Sequence, residues 1–418
     1  MIEFSGRLSA LRHTPYRRYW LGSFASVGAT QLQILGQGWL VFELTGSALM
    51  LGYLGAAASI PAIVMTLFGG ALADRLNKQV VLMTTSLIVA SLIGVVAFLD
   101  ATGIVAAWHI ILIASIVSFT QGLDWPTRQS IFPTLIERDD MMSAVALNSI
   151  IWQSTRMVIP AFGGLIIAWA DTWVVFALCS LGFLTMFAVI WSLKLNLPRP
   201  EIIHSTLRQI SEGIRFILDE RLFLVLISLS YAGMFFANTH MQLMPAFATL
   251  LGASEAGYGY LMSATGVGSV AGTILVGSFQ HSPRLGQIML SAAAASGVCI
   301  YGFCLAASLA DVMPLAYYLA MSSVFLASLF SSIFMICSMT VLQLRVPDNL
   351  RGRVMGFHGI TYSLMPLGGL LAGAIASVSS TPVAVAVGIT VYLAIILGIA
   401  TSQRQVRDFD GSAPHETA

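Results

Sequence analysis

The chain has 418 residues, of which 57% are hydrophobic and only 9% charged, and its mean hydropathy is +0.85. So little charge excludes a water-soluble domain of this length. A formal net charge of +1 implies no nucleic-acid partner.

Apolar runs of about 20 residues, the length that crosses a ~30 Å bilayer core as a helix, recur from end to end. They are continuous rather than alternating, which excludes a β-barrel. Twelve spans are expected, near 19–44, 48–72, 80–99, 105–124, 143–169, 173–195, 222–249, 257–279, 285–309, 313–342, 353–377 and 381–402. The run at 19–44 follows basic residues, but it is too long for a signal-peptide core and reads as an uncleaved first span.

Nineteen of the 20 Lys and Arg fall before span 1, in alternate connections or after span 12. The other side offers Glu43, Asp100, Asp171, Glu255 and Asp311. This asymmetry predicts cytoplasmic termini.

Between spans 6 and 7, residues 197–221 open with LPRP and continue with Ile203, Leu207, Ile210, Ile214 and Ile217 among polar residues. The spacing predicts an amphipathic linker helix. It separates a six-span bundle over 1–196 from a second over 222–402, with a disordered tail over 403–418. The bundles read as repeats. GYL at 52–54 is followed by Gly70, GYL at 259–261 by Gly277, and PAFGG at 160–164 is matched by PLGG at 366–369.

Polar residues inside the spans are the candidate substrate contacts. Arg156 lies about 13 residues into span 5, roughly 20 Å deep. Asn148, Trp152 and Arg156 share one face of that helix. An intramembrane cation with no acid at its depth suits an anionic substrate, or else braces its bundle. Gln33 and Gln37 share a face of span 1, as Asn238 and Gln242 do in span 7; substrate contact and interhelical hydrogen bonding are both open to them. His240, His358 and Tyr362 could titrate, although structural histidines are commoner.

Cys179, Cys299, Cys304 and Cys337 sit inside apolar runs without a CxxC pair and read as small hydrophobes. GVGSVAG at 266–272 lies within a span and has no Walker lysine, so it reads as a helix-packing stripe. No motif asks for a cofactor or metal, and none suggests an enzyme.

GGALADRLNK, between spans 2 and 3, resembles the G-x-L-a-D-R-x-G-R-R/K signature of the major facilitator superfamily. Gly70, Leu72, Asp74, Arg75 and Lys78 match. Asn77 stands in place of the second Gly, where it would tolerate a left-handed backbone, and Gln79 in place of a basic residue. RMVIPAFGG at 156–164 resembles the G-P-x-x-G-G antiporter motif through Pro160, Gly163 and Gly164, with Ile159 replacing the first Gly. In span 4, Ser118 occupies a position where exporters often carry Arg. DWPTRQSIFPTLI at 124–136 and VPDNLRGRVMGF at 346–357 resemble the branch that holds enterobactin exporters and macrolide efflux proteins.

The resemblance implies the major facilitator fold, all-α, with twelve transmembrane helices in two six-helix pseudo-repeats. It implies a central cavity lined by spans 1, 4, 7 and 10. It also implies a cytoplasmic gating latch in which Asp74 meets the start of span 11 near Arg351 and Arg353, while Arg75 meets Asp124 beside Arg128. The function it implies is secondary active export of a small amphipathic or anionic metabolite or drug, proton-coupled, from a multi-pass position in a bacterial inner membrane. The partners expected are the substrate, the bilayer and protons, with the chain working as a monomer. An importer on the same fold and a non-transporting sensor or scaffold are the alternatives.

Overall fold

The computed structural model describes residues 6–73, 76–193, 206–279, 282–347 and 350–410, and those residues are helical with no strand. The first six spans are Thr14–Thr45, Ala48–Ala73, Lys78–Ala101, Ala107–Ile131, Met141–Ala170 and Thr172–Ser192. The last five are Glu255–Val276, Leu285–Ser308, Ala316–Arg345, Arg351–Val378 and Thr381–Ser402, with span 7 beginning at Arg221. Eleven of the twelve are long and apolar enough to cross a membrane by composition alone. Span 1 is the exception. Its 32 residues carry Gln31, Gln33 and Gln37.

Three elements differ from expectation. Span 4 does not stop near 124: the helix runs to Ile131 and continues as a 3₁₀ turn over Phe132–Leu135. Asp124 and Arg128 therefore lie within it, on one face at i, i+4, and their ion pair offsets the disruption by Pro126. Span 7 is broken. An α-helix over Arg221–Ala232 gives way to a π-turn at Gly233–Ala237, then to short helices Thr239–Gln242 and Met244–Leu250. The backbone N–H and the side-chain amide of Asn238 both donate to the Gly233 carbonyl at 3.1 Å, which fixes the wide turn. The tail is folded as far as 410: Arg404–Arg407 is helical, the Gly286 N–H donates to the Phe409 carbonyl at 3.1 Å, and the Arg345 guanidinium sits 5.3 Å from the Phe409 ring. Burial of Val406 and Phe409 holds it there.

The chain divides into two compact units, one of Met1–Leu44 with Ala57–His204 and one of Thr45–Ala56 with Ser205–Ala418. Residues 45–56, the start of span 2, thus pack with the second unit rather than with the rest of the first bundle. Span 3 packs on span 6 in the first unit and span 9 on span 12 in the second, as repeats require. The linker helix is Thr206–Asp219; it buries Ile217 but leaves Ile214 and Leu218 exposed, and Glu212 accepts from Arg353 at 2.6 Å.

The turn after span 2 carries a further difference. Asp74 and Arg75 lie outside the described residues. Asn77 is not left-handed: at φ −67° it is extended and caps span 3, its Oδ1 accepting from the Gln79 and Val80 N–H groups. Gln79, in the place of a basic residue, donates to the Ile190 and Leu193 carbonyls at 3.0 and 2.8 Å. It thereby gives carbonyls at the end of span 6 a donor from span 3.

Candidate substrate site

Within the first unit, spans 1, 4, 5 and 6 enclose a cavity of about 190 Å³. Span 1 lines it with Tyr19, Ser23, Ser26 and Thr30, spaced 4, 3 and 4 so that they form one helix face. Small side chains there keep the wall open. Span 4 contributes Gln121, Asp124, Trp125 and Arg128; span 5 contributes Asn148 and Trp152. Phe132 and Phe183 add apolar surface.

The charge in this cavity is an ion pair, Arg128 Nε with Asp124 Oδ2. The two side chains are 11% and 16% exposed. Arg128 also donates to Ser26 Oγ at 2.9 Å, and Asp124 accepts from Thr85 at 3.2 Å. Charges this enclosed persist because each is paired and hydrogen-bonded; removal of one partner strands the other. In the same lining, the Trp125 and Trp152 rings meet edge to face, with centroids 5.4 Å apart. Gln121 Nε2 is buried and has no hydrogen-bond partner among the described residues. Buried polar groups normally find partners, so this amide is a group a ligand can satisfy. The site offers aromatic faces, a charge pair and a spare amide to a small molecule.

The structure brings only some of the expected residues here. Asn148 and Trp152 line the cavity; Arg156, one turn further on, is half-buried and does not. Nor is Arg156 an unpaired cation, because it makes interactions of its own. A guanidinium at that depth is stable only with partners. Gln33 and Gln37 continue the Tyr19–Thr30 face of span 1 but lie beyond the cavity wall, buried, with Gln33 Nε2 donating to Gln37 Oε1 at 3.4 Å.

Asn238 and Gln242 serve the second unit's backbone. Asn238 shapes the π-turn, and Gln242 donates to the Leu51 carbonyl at 2.8 Å. His240 is buried, with Nδ1 at 3.1 Å from the Ala237 carbonyl. Of the antiporter-like motif, Pro160 and Gly164 are buried in span 5, and a Cβ on Gly163 would stand 2.8 Å from Leu32 and Leu35, so the motif seats span 5 on span 1. Lys78 opens span 3, Gly70 lies within span 2, and Arg351 starts span 11.

Tyr19, Ser26, Gln121 and Trp125 were not singled out from the sequence. The signal that finds Tyr19 and Ser26 is the polar periodicity 19, 23, 26, 30, 33, 37 along span 1, of which only the last two positions look conspicuous by residue type; Gln121 and Trp125 on span 4 have no such signal.

Helices long and apolar enough to cross a membrane, with a cavity lined by polar and aromatic side chains in the first unit, define a multi-pass membrane protein. The family model for transmembrane secretion effectors, a major facilitator family, matches residues 5–416, and the chain belongs to that family. It is similar to the enterobactin exporter EntS of Escherichia coli O1:K1 / APEC, 26% identical over 354 residues that span 84% of this chain and 82% of that protein. Against EntS of Shigella flexneri the identity is 25% over the same shares. Among solved structures, a POT family peptide transporter superposes with a TM-score of 0.71 at 13% identity, covering 95% of this chain and 99% of that one. A bacterial homologue of the iron transporter ferroportin gives 0.70 at 16%, covering 92% and 98%. These two likenesses establish the fold. Family and relatives are transporters, and the chain is accordingly a transporter of small molecules rather than an enzyme.

Proposed function

We propose that this transporter exports a small amphipathic or anionic metabolite or drug, siderophore- or antibiotic-like, across the inner membrane by alternating access driven by the proton gradient. The observation that carries the reading is the first-unit cavity, lined by an Asp124–Arg128 pair, the Trp125 and Trp152 rings and the unpartnered Gln121 amide. An apolar pocket without these groups would not distinguish an amphipathic solute from lipid. The relatives' printed function, enterobactin export, supports the outward direction. The basic-residue asymmetry supports cytoplasmic termini.

Asp124 is the cavity's carboxylate. It is also the acid that the gating latch of Gly70, Asp74, Arg75 and Lys78 requires. Because Arg128 already neutralises Asp124, engagement of Arg75 exchanges or shares one guanidinium for another, and occupancy of the cavity is thereby linked to the latch.

The test uses inside-out vesicles containing the protein, energised, with a panel of anionic chelators, macrolides and lipophilic cations. Uptake of one class that collapses with a protonophore is the expected result. No accumulation of any class by folded protein, together with nutrient uptake in right-side-out vesicles, would overturn export in favour of import.

A further inference from the structure

Asp124 and Arg128 are the charged residues among the described lining of the first-unit cavity. They lie one turn apart on span 4, and the pair is closed on both carboxylate oxygens. Arg128 Nε donates to Asp124 Oδ2, and Nη2 donates to Oδ1 at 3.4 Å. Two other helices fasten its ends. From span 1, Ser26 Oγ gives its own proton to the Ser23 carbonyl at 3.2 Å and so meets Arg128 Nη1 as an acceptor, at 2.9 Å. From span 3, Thr85 donates to Asp124 Oδ1 at 3.2 Å. Ser26 and Thr85 are both buried, which shields these bonds from water.

Such a pair is preformed. Both partners sit on one helix and are held by neighbours from outside it, so a ligand recruits neither. A guanidinium has five N–H groups, and three of these are committed. An anion entering the cavity meets a cation that already has its counter-ion, and beside it a carboxylate that repels the newcomer. It surrenders its hydration for little return. A cation meets the converse. An uncharged group loses far less hydration on entry, and the unpartnered Gln121 Nε2 offers it a donor. The Trp125 and Trp152 rings in the same lining take its apolar part.

We infer that the cavity selects ligands whose buried part has no net charge, and that Asp124 sets this rule as the internal counter-ion of Arg128. The inference rests on the reading of this cavity as the ligand site. It narrows that reading from an amphipathic or anionic molecule to an amphipathic one, recognised through an uncharged acceptor such as an amide or ester carbonyl. Removal of an acid from the wall then creates an anion site. Without Asp124, Arg128 recovers its Nε and Nη2 donors and carries an unbalanced charge. Arginine does not deprotonate in proteins, so titration cannot relieve that charge and an entering anion does.

Equilibrium dialysis of the full chain in lipid nanodiscs, blanked against empty nanodiscs, tests this with three probes of similar shape: naphthamide, naphthoate and naphthylmethylammonium. Binding is read rather than transport, so a part for Asp124 in the latch does not enter. Wild type should bind the amide about tenfold more tightly than either ion, and Asp124→Asn should bind naphthoate about tenfold more tightly than wild type does, the worth of a hydrogen bond to a charged group. Arg128→Gln should instead favour the ammonium. Gln121→Leu should weaken the amide about fivefold, the effect of one lost hydrogen bond. If Asp124→Asn folds poorly, saturating naphthoate should raise its thermal stability and naphthamide should not. Wild type that binds naphthoate as tightly as the amide, with both lost in Trp152→Ala, would overturn the charge rule and leave the cavity as the ligand site. An unchanged order of affinities in Asp124→Asn would overturn the assignment to Asp124. No saturable binding of any probe by wild type or by Asp124→Asn would overturn the cavity reading, and the rule with it.

Discussion

Away from the span ends, where Gln79 serves carbonyls of the first unit, amide side chains are put to different uses in the two units. In the first, Gln121 and Asn148 face a cavity, and the nearby helices are regular enough to supply their own backbone partners. In the second, Asn238 and Gln242 spend their donors on carbonyls, one at a π-turn and one on a neighbouring helix. An amide in a membrane span is available to a ligand only where the surrounding backbone is already satisfied. Residue type and facing alone do not tell the two apart.

Four measurements would break or sharpen this contrast. Arg128→Ala strands Asp124 in the cavity wall and should destabilise the protein by about 3–5 kcal/mol, read as a loss of thermal stability in detergent, whereas neutralising both partners together should recover much of it. If Arg128→Ala melts like wild type, the pair is not the organising charge of the first unit. Gly368→Val in span 11 should come next. A Cβ there would stand 1.9 Å from the Phe235 carbonyl in the π-turn, and overpacking of this kind costs about 1–3 kcal/mol. Asn238→Ala removes the donor that shapes the turn and should cost about 1 kcal/mol, with the loss of order confined to 233–243 in an exchange map. Asn148→Ala should barely move stability but should weaken binding of any transported ligand found in the vesicle screen. A stability loss for Asn148→Ala as large as for Asn238→Ala would erase the contrast. As a control, Gly356→Ala meets nothing within 4 Å and should be neutral or slightly stabilising.

The spans were legible because a bilayer imposes a length and a hydropathy that little else imitates, and most boundaries fall within a few residues of expectation. Where the sequence misled, local chemistry was ambiguous. DWPTRQ contains an acid, a proline and a base, and so resembles a connection; the i, i+4 pairing of Asp124 with Arg128 makes it helix. Span 7 looked continuous because its break is made by one Asn and by the approach of Gly368 from a segment more than a hundred residues away. The cavity was only half legible. Asn148 and Trp152 announce themselves as polar or large groups at depth, but Ser26 and Tyr19 acquire meaning only once Arg128 is placed beside them. Arg156 is the converse, conspicuous in sequence and yet engaged elsewhere.

Span 1 carries a consequence for biogenesis. It is the span whose composition alone does not qualify it to cross a membrane, and it is synthesised before the spans that follow it. The partners that enclose its polar face, Arg128 on span 4 and Trp152 on span 5, are synthesised about a hundred residues later. Until then Gln33 and Gln37 must be sheltered by each other, and the strongly apolar span 2 must carry its neighbour into the bilayer as a hairpin. The polar face that lines the cavity is thus a liability during synthesis, and the nascent chain depends on its second helix before its first is stable.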